Sequence, residues 1–66
     1  MKNTIKVERA RLDMTQADLA EKIQVSRQTI NTIEAGKYIP STALALKMSA
    51  LFGKTVNELF LLEPGD

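Results

Sequence analysis

The chain contains neither cysteine nor histidine. The first absence excludes a disulfide framework, and the two together exclude a structural zinc held by thiolate and imidazole. Most enzymatic chemistry loses its usual nucleophile, base and metal ligands with them, so catalysis and a cofactor are not expected. Acidic side chains such as Glu8 and Asp13 read as exposed helix charges. Long hydrophobic runs are also missing. The stretches Leu44–Phe52 and Val56–Leu62 are broken by Lys47 and Glu58, well short of the roughly 18 uncharged residues of a membrane span. Met1-Lys2-Asn3-Thr4 leads straight into a charged pattern without the apolar core of a secretory signal. A soluble, cytoplasmic protein with no membrane partner is the expectation. With three Gly and two Pro, and no repeat or linker, low complexity is excluded as well.

What remains is ordinary globular composition, 44% hydrophobic and 26% charged, in 66 residues. That length supports one domain spanning residues 1–66 and leaves no room for a separate sensor. A domain this small buries only about 60% of its unfolded surface, so stability must come from tight packing or self-association. Net charge is only +1, but it is segregated. Residues 24–54 carry Arg27, Lys37, Lys47 and Lys54 against Glu34 alone, whereas Thr55 onward carries Glu58, Glu63 and Asp66 and no base. A local positive surface offset by an acidic end suits a polyanion partner on one face.

Hydroxyl and amide residues at short intervals punctuate five helices, because each can accept a hydrogen bond from the free N–H groups of a first helical turn. Asn3 or Thr4 opens helix 1, which runs to about Asp13 with Ile5, Val7 and Leu12 as its apolar positions. Thr15 caps Gln16 to Ile23, with Asp18 completing a capping box. Ser26 caps Arg27 to Glu34, and Gly36 supplies the left-handed residue that stops it. Ser41, after the extended Ile39-Pro40, caps a helix to Phe52 that ends at Gly53. Thr55 caps Val56 to about Phe60, with Glu58 at the third position. The fold class is therefore all-α. Phe60-Leu61-Leu62 has the one extended tendency, to pair with the N-terminal residues or with a second chain.

Two short helices joined by Gln24-Val25-Ser26 must cross steeply. Ala20 permits close approach, and Leu19, Ile23, Val25, Ile30 and Ile33 can share a core. This is the pattern of a helix-turn-helix over about residues 16–34. The blocks Thr15-Gln16-Ala17-Asp18-Leu19-Ala20, Val25-Ser26-Arg27-Gln28-Thr29-Ile30-Asn31 and Ile33-Glu34-Ala35-Gly36-Lys37 follow in order, with Pro40-Ser41 and Ala45-Leu46-Lys47 beyond them. In this order the chain resembles the Xre and phage repressor/Cro-like regulators from Ile5 to Phe60. The resemblance implies a five-helix, lambda-repressor-like DNA-binding domain whose third helix enters the major groove. One departure stands in the turn: Gln24 occupies a position where such proteins often carry Gly, at a cost of roughly 1 kcal/mol for a left-handed non-glycine.

The third helix carries readable chemistry of its own. Arg27, Gln28, Asn31 and Thr32 fall away from the Ile30 and Ile33 side, and the N–H groups at the Ser26 cap suit a phosphate. Arg pairs bidentately with guanine and Gln with adenine, each pair supplying about 1–3 kcal/mol of discrimination, while a Thr29 or Thr32 methyl can meet a thymine methyl. Arg27, Gln28, Thr29 and Thr32 are the expected base readers. Ser26 and Asn31 are expected on phosphate. The resemblance adds Gln16, Lys37 and Tyr38 to the phosphate set, although Tyr38 could equally pack its ring on the loop. It also implies that Arg9 pairs with Glu34 as an architectural ion pair.

On a helical wheel for the fourth helix, Thr42, Ala45, Leu46, Ser49 and Phe52 share the core-facing side with Met48 at its edge, which leaves Leu44 and Leu51 opposite. With Phe60, Leu61 and Leu62 they make more apolar surface than a small monomer should leave wet. A twofold homodimer is expected through a segment at about residues 56–63, with a short C-terminal strand at the interface and Leu44 or Leu51 at its margin. The expected function is a sequence-specific regulator of double-stranded DNA, a repressor on a palindromic operator. The alternative is an antitoxin that uses the same domain to bind DNA and an unidentified protein partner.

Overall fold

The computed structural model describes residues 1–66. In chain order it contains β1 (Lys2–Asn3), α1 (Ile5–Arg11), α2 (Gln16–Ile23), α3 (Arg27–Glu34), α4 (Thr42–Phe52), α5 (Val56–Leu59) and β2 (Phe60–Leu61). Side-chain oxygens start the helices. Thr15, Ser26, Ser41 and Thr55 each accept from the backbone N–H three residues on. At α2 and α5 the boxes close in both directions, since Asp18 and Glu58 accept from the Thr15 and Thr55 N–H groups at 3.0 and 2.9 Å.

Of the two residues that could open α1, Asn3 is the one whose side chain does so. Its Oδ1 accepts from the Ile5 N–H at 3.2 Å, while Thr4 makes no side-chain cap. Asn3 Nδ2 also donates to the Ile33 carbonyl at 2.7 Å, near the end of α3. One half-buried side chain thus satisfies orphan groups at two helix ends. The helix stops at Arg11, because Asp13 turns left-handed at φ 58°.

The core joins all five helices: Ile5, Leu19, Ala20, Ile23, Ile30, Ile33, Leu44, Ala45, Met48, Phe52, Leu59 and Phe60 are buried together. In α1 only Ile5 is buried, and the expected apolar positions Val7 and Leu12 are exposed. The phase of α4 differs from the expected wheel. Leu44, Ala45, Met48 and Phe52 are buried, so Leu44 belongs to the core and Met48 sits at its centre, while Leu46 and Thr42 face solvent. The sequence TALALKMSALF is apolar nearly all round and marks its phase with one lysine only. Neighbouring elements therefore choose the buried face.

Phe60 is likewise buried in its own chain, and α5 ends at Leu59 because Phe60 takes extended angles. β2 pairs antiparallel with β1, Lys2 opposite Leu61 and Asn3 opposite Phe60. The two-residue strand alternates, Phe60 inward and Leu61 outward. Leu51 is half-buried against the core. Of the five apolar residues expected at a dimer interface, Leu61 and Leu62 alone are exposed.

A candidate nucleic-acid interface

The interface is built on the crossing of α2 and α3. Leu19, Ala20, Ile23, Ile30 and Ile33 are buried, and Val25 packs against them from the turn. The turn is shaped by Gln24 at φ 61°, ψ 48°, from which the Val25 N–H returns to the Ala20 carbonyl at 2.9 Å. A non-glycine carries the left-handed step there, as the sequence requires. Burial of Ile30 and Ile33 fixes the rotation of α3 and turns Arg27, Gln28 and Asn31 to solvent. Thr29 and Thr32 lie half-buried at the edges of that face.

Hydrogen bonds fix several of these side chains. Ser26 Oγ accepts from the Thr29 N–H at 3.1 Å and lies 2.9 Å from Thr29 Oγ1, so both hydroxyls serve the cap. Thr32 Oγ1 donates to the Gln28 carbonyl at 2.7 Å, and Gln28 Nε2 reaches Thr32 Oγ1 at 3.4 Å. The Arg27 guanidinium takes part in none of the chain's ion pairs. Gln16, Arg27, Gln28 and Asn31 line one cleft without any apolar residue.

Behind the face lies a nearly buried charge pair. Arg9 Nε and Nη2 donate to Glu34 Oε2 and Oε1 at 2.9 and 3.2 Å, and Arg9 Nη1 donates to the Met14 carbonyl at 2.8 Å. The Glu34 hydrogen bond raises the Arg9 pKa above its ordinary value, against the opposing effect of burial. Glu34 in turn sets the direction of the amide in front of it. Its carboxylate can only accept, so Gln16 Nε2 donates to Oε1 at 3.1 Å and lies 3.4 Å from Asn31 Oδ1. Gln16 therefore turns its amide nitrogen inward, and Asn31 keeps its own amide nitrogen free for a partner outside. That polarity could not be read from the sequence, because it depends on a carboxylate 18 residues from Gln16.

At the far end of α3, Gly36 turns at φ 76°, and the Lys37 N–H bonds the Thr32 carbonyl at 3.1 Å. This pins Lys37 to the helix C-terminus. Lys37 and Tyr38 are both exposed. Of the expected site residues, the structure thus gathers Gln16, Ser26, Arg27, Gln28, Thr29, Asn31 and Thr32 along α3 and the α2 start, with Lys37 and Tyr38 just past the end of α3. Leu61 and Leu62 follow Phe60, which with Pro40, Ala45, Leu46 and Val56 is among the residues that line a groove of about 200 Å³. No helix is long and apolar enough to cross a membrane.

Comparison with known proteins agrees with this geometry. Residues 5–59 match the family model described as Helix-turn-helix. An HTH-type transcriptional regulator of Methanocaldococcus jannaschii is 51% identical over 63 residues, covering 96% of each chain. The HTH-type regulator YgzD of Bacillus subtilis is 44% identical over 63 residues, again covering 96% of each chain. One from Archaeoglobus fulgidus is 40% identical over 63 residues, covering 96% of this chain and 89% of its own.

Proposed function

The chain belongs to the Xre-like helix-turn-helix family of DNA-binding transcriptional regulators, and on that premise we propose that it is a repressor which binds a palindromic operator as a homodimer. The observation that carries this reading is the division of α3, with Ile30 and Ile33 anchored in the core while Arg27, Gln28 and Asn31 are exposed at the surface. Laid in the major groove, that face presents Arg27 to a guanine edge and Gln28 to an adenine edge, with the Thr29 and Thr32 methyls toward thymine. Phosphate contacts come from the Asn31 amide nitrogen, from the backbone N–H groups that begin α2 and α3 at Gln16 and beyond Ser26, and from Lys37 and Tyr38. Gln16 adds a side-chain donor once it exchanges the long Asn31 contact for a phosphate oxygen.

One such helix reads only a few base pairs, so two are needed, about 34–36 Å apart on one face of the duplex. The second copy is proposed to dock on the apolar groove beside Leu46 and on Leu61 and Leu62, a reading supported by the exposure of these three leucines. Phe60 lines this groove from the core, whereas Leu44 and Leu51 lie outside its lining. A dimer on its operator obstructs polymerase by occupancy.

Selection of bound duplexes from a random pool, followed by sequencing, tests the reading. A consensus with twofold symmetry and half-sites one turn apart is expected; no enrichment even at low salt would overturn it. Sedimentation at tens of micromolar should show a dimer that Leu61→Glu with Leu62→Glu dissociates, whereas a wild-type monomer that binds single half-sites equally well rules the dimer out.

A further inference from the structure

We propose that Thr32 is a positioning residue that presets the Gln28 amide for adenine and against guanine. The inference rests on the reading above, in which α3 faces base edges. Thr32 has one hydroxyl proton, and it is committed: Oγ1 donates to the Gln28 carbonyl at 2.7 Å, the back-bond of a threonine to the residue four before it. Toward the Gln28 side chain that oxygen can then only accept. Gln28 Nε2 approaches it at 3.4 Å, so one of the two amide protons is directed at Thr32. Inverting the amide would set Gln28 Oε1 against an oxygen with no proton left to give. The orientation of the amide is thereby chosen by the backbone carbonyl of Gln28 itself, through Thr32.

What the amide has left decides what it reads. A glutamine offers two donor protons and one acceptor oxygen. With one proton held by Thr32, a single N–H and Oε1 project from the helix, a donor beside an acceptor. Adenine presents the complement in the major groove, N7 as acceptor and the N6 amino group as donor. Guanine presents two acceptors, N7 and O6, and would need both amide protons. Binding guanine therefore costs the Thr32 contact, and binding adenine keeps it. The Thr32 methyl is not used by this arrangement and stays available to a thymine.

Sequencing of duplexes selected by the wild type and by Gln28→Ala, Thr32→Val and Thr32→Ser separates the parts. Gln28→Ala identifies the base pair that Gln28 reads. Thr32→Val keeps the shape and the branched carbon while deleting the hydroxyl, and at that base pair the preference for adenine over guanine is expected to fall by about two- to tenfold, the factor one net hydrogen bond is worth. Any change at the thymine that the Thr32 methyl faces falls at a different base pair and is read separately, so the Gln28 position alone reports on the hydroxyl. Thr32→Ser restores the hydroxyl and with it the adenine preference. An adenine preference in Thr32→Val equal to the wild type's, or a loss spread evenly over all positions with a lowered melting temperature, would overturn the proposal. If Gln28→Ala changes no position at all, base reading by Gln28 itself has failed and the proposal falls with it.

Discussion

Arg9 holds both carboxylate oxygens of Glu34, through Nε at 2.9 Å and Nη2 at 3.2 Å, across 25 residues of sequence. Both side chains are mostly withdrawn from water, at 15% and 7% exposure, so the pair has paid a desolvation cost that either partner alone could not recover. It ties α1 to the end of α3 and, through Gln16, to the start of α2.

Arg9→Ala or Glu34→Ala should therefore destabilise the fold by about 3 kcal/mol, because each leaves a charge stranded in a site built for two. The double mutant should lose far less than the sum, with a coupling of about 2 kcal/mol in a urea-unfolding cycle. Additive losses would show that the pair is only superficially coupled.

Gln24→Gly should stabilise the chain by up to about 1 kcal/mol, since it removes the Cβ from a residue at φ 61° at a position outside any helix interior. Asp13→Gly, at φ 58°, should act in the same direction. Thermal unfolding of each variant reads the sign directly, and a lowered midpoint for Gln24→Gly would contradict the assignment of strain to this turn.

Acid sensitivity follows from the two capping boxes. The Thr15 N–H, then the Thr15 hydroxyl side of the box, holds the Asp18 carboxyl below its ordinary pKa, and Thr55 does the same for Glu58. A folded-state pKa below the unfolded one means stability that is complete above the ordinary carboxylate range, about 3.9–4.3, and is lost as pH falls through the folded values. The melting temperature should accordingly be flat near neutrality and drop below about pH 4. Asp18→Asn with Glu58→Gln keeps an acceptor in each box but removes its titration, so the acid limb should become shallower.

Much of the fold was legible because its helix ends are written in local chemistry. Thr15, Ser26, Ser41 and Thr55 each mark a start that the backbone obeys, and the ranges of α2, α3 and α4 follow from them. The exposed face of α3 was legible for the same local reason: two isoleucines three apart fix which side of the helix is dry. What escaped depends on partners distant in sequence. Leu44 and Leu46 are chemically alike, and only the packing of α4 on its neighbours makes one core and the other surface. Asn3 serving two helix ends, and Glu34 setting the polarity of Gln16, are likewise tertiary facts.

Lys37 and Arg27 should separate on DNA by the kind of contact each makes. Lys37→Ala should weaken binding to all sequences alike and reduce the slope of log affinity against log salt by about 1, as expected for one lost phosphate contact. Unchanged slope and affinity would remove Lys37 from the interface.

Under the proposed function, the exposed face of α3 reads sequence. Affinity of the wild type and of Arg27→Ala, for the selected operator and for a scrambled duplex, both measured across a range of salt, tests it most directly. The prediction is a specificity ratio reduced by about 5- to 100-fold in the variant, the equivalent of one lost bidentate base contact, with folding intact and affinity for the scrambled duplex changed much less. An operator-to-scrambled ratio equal to the wild type's would contradict the account.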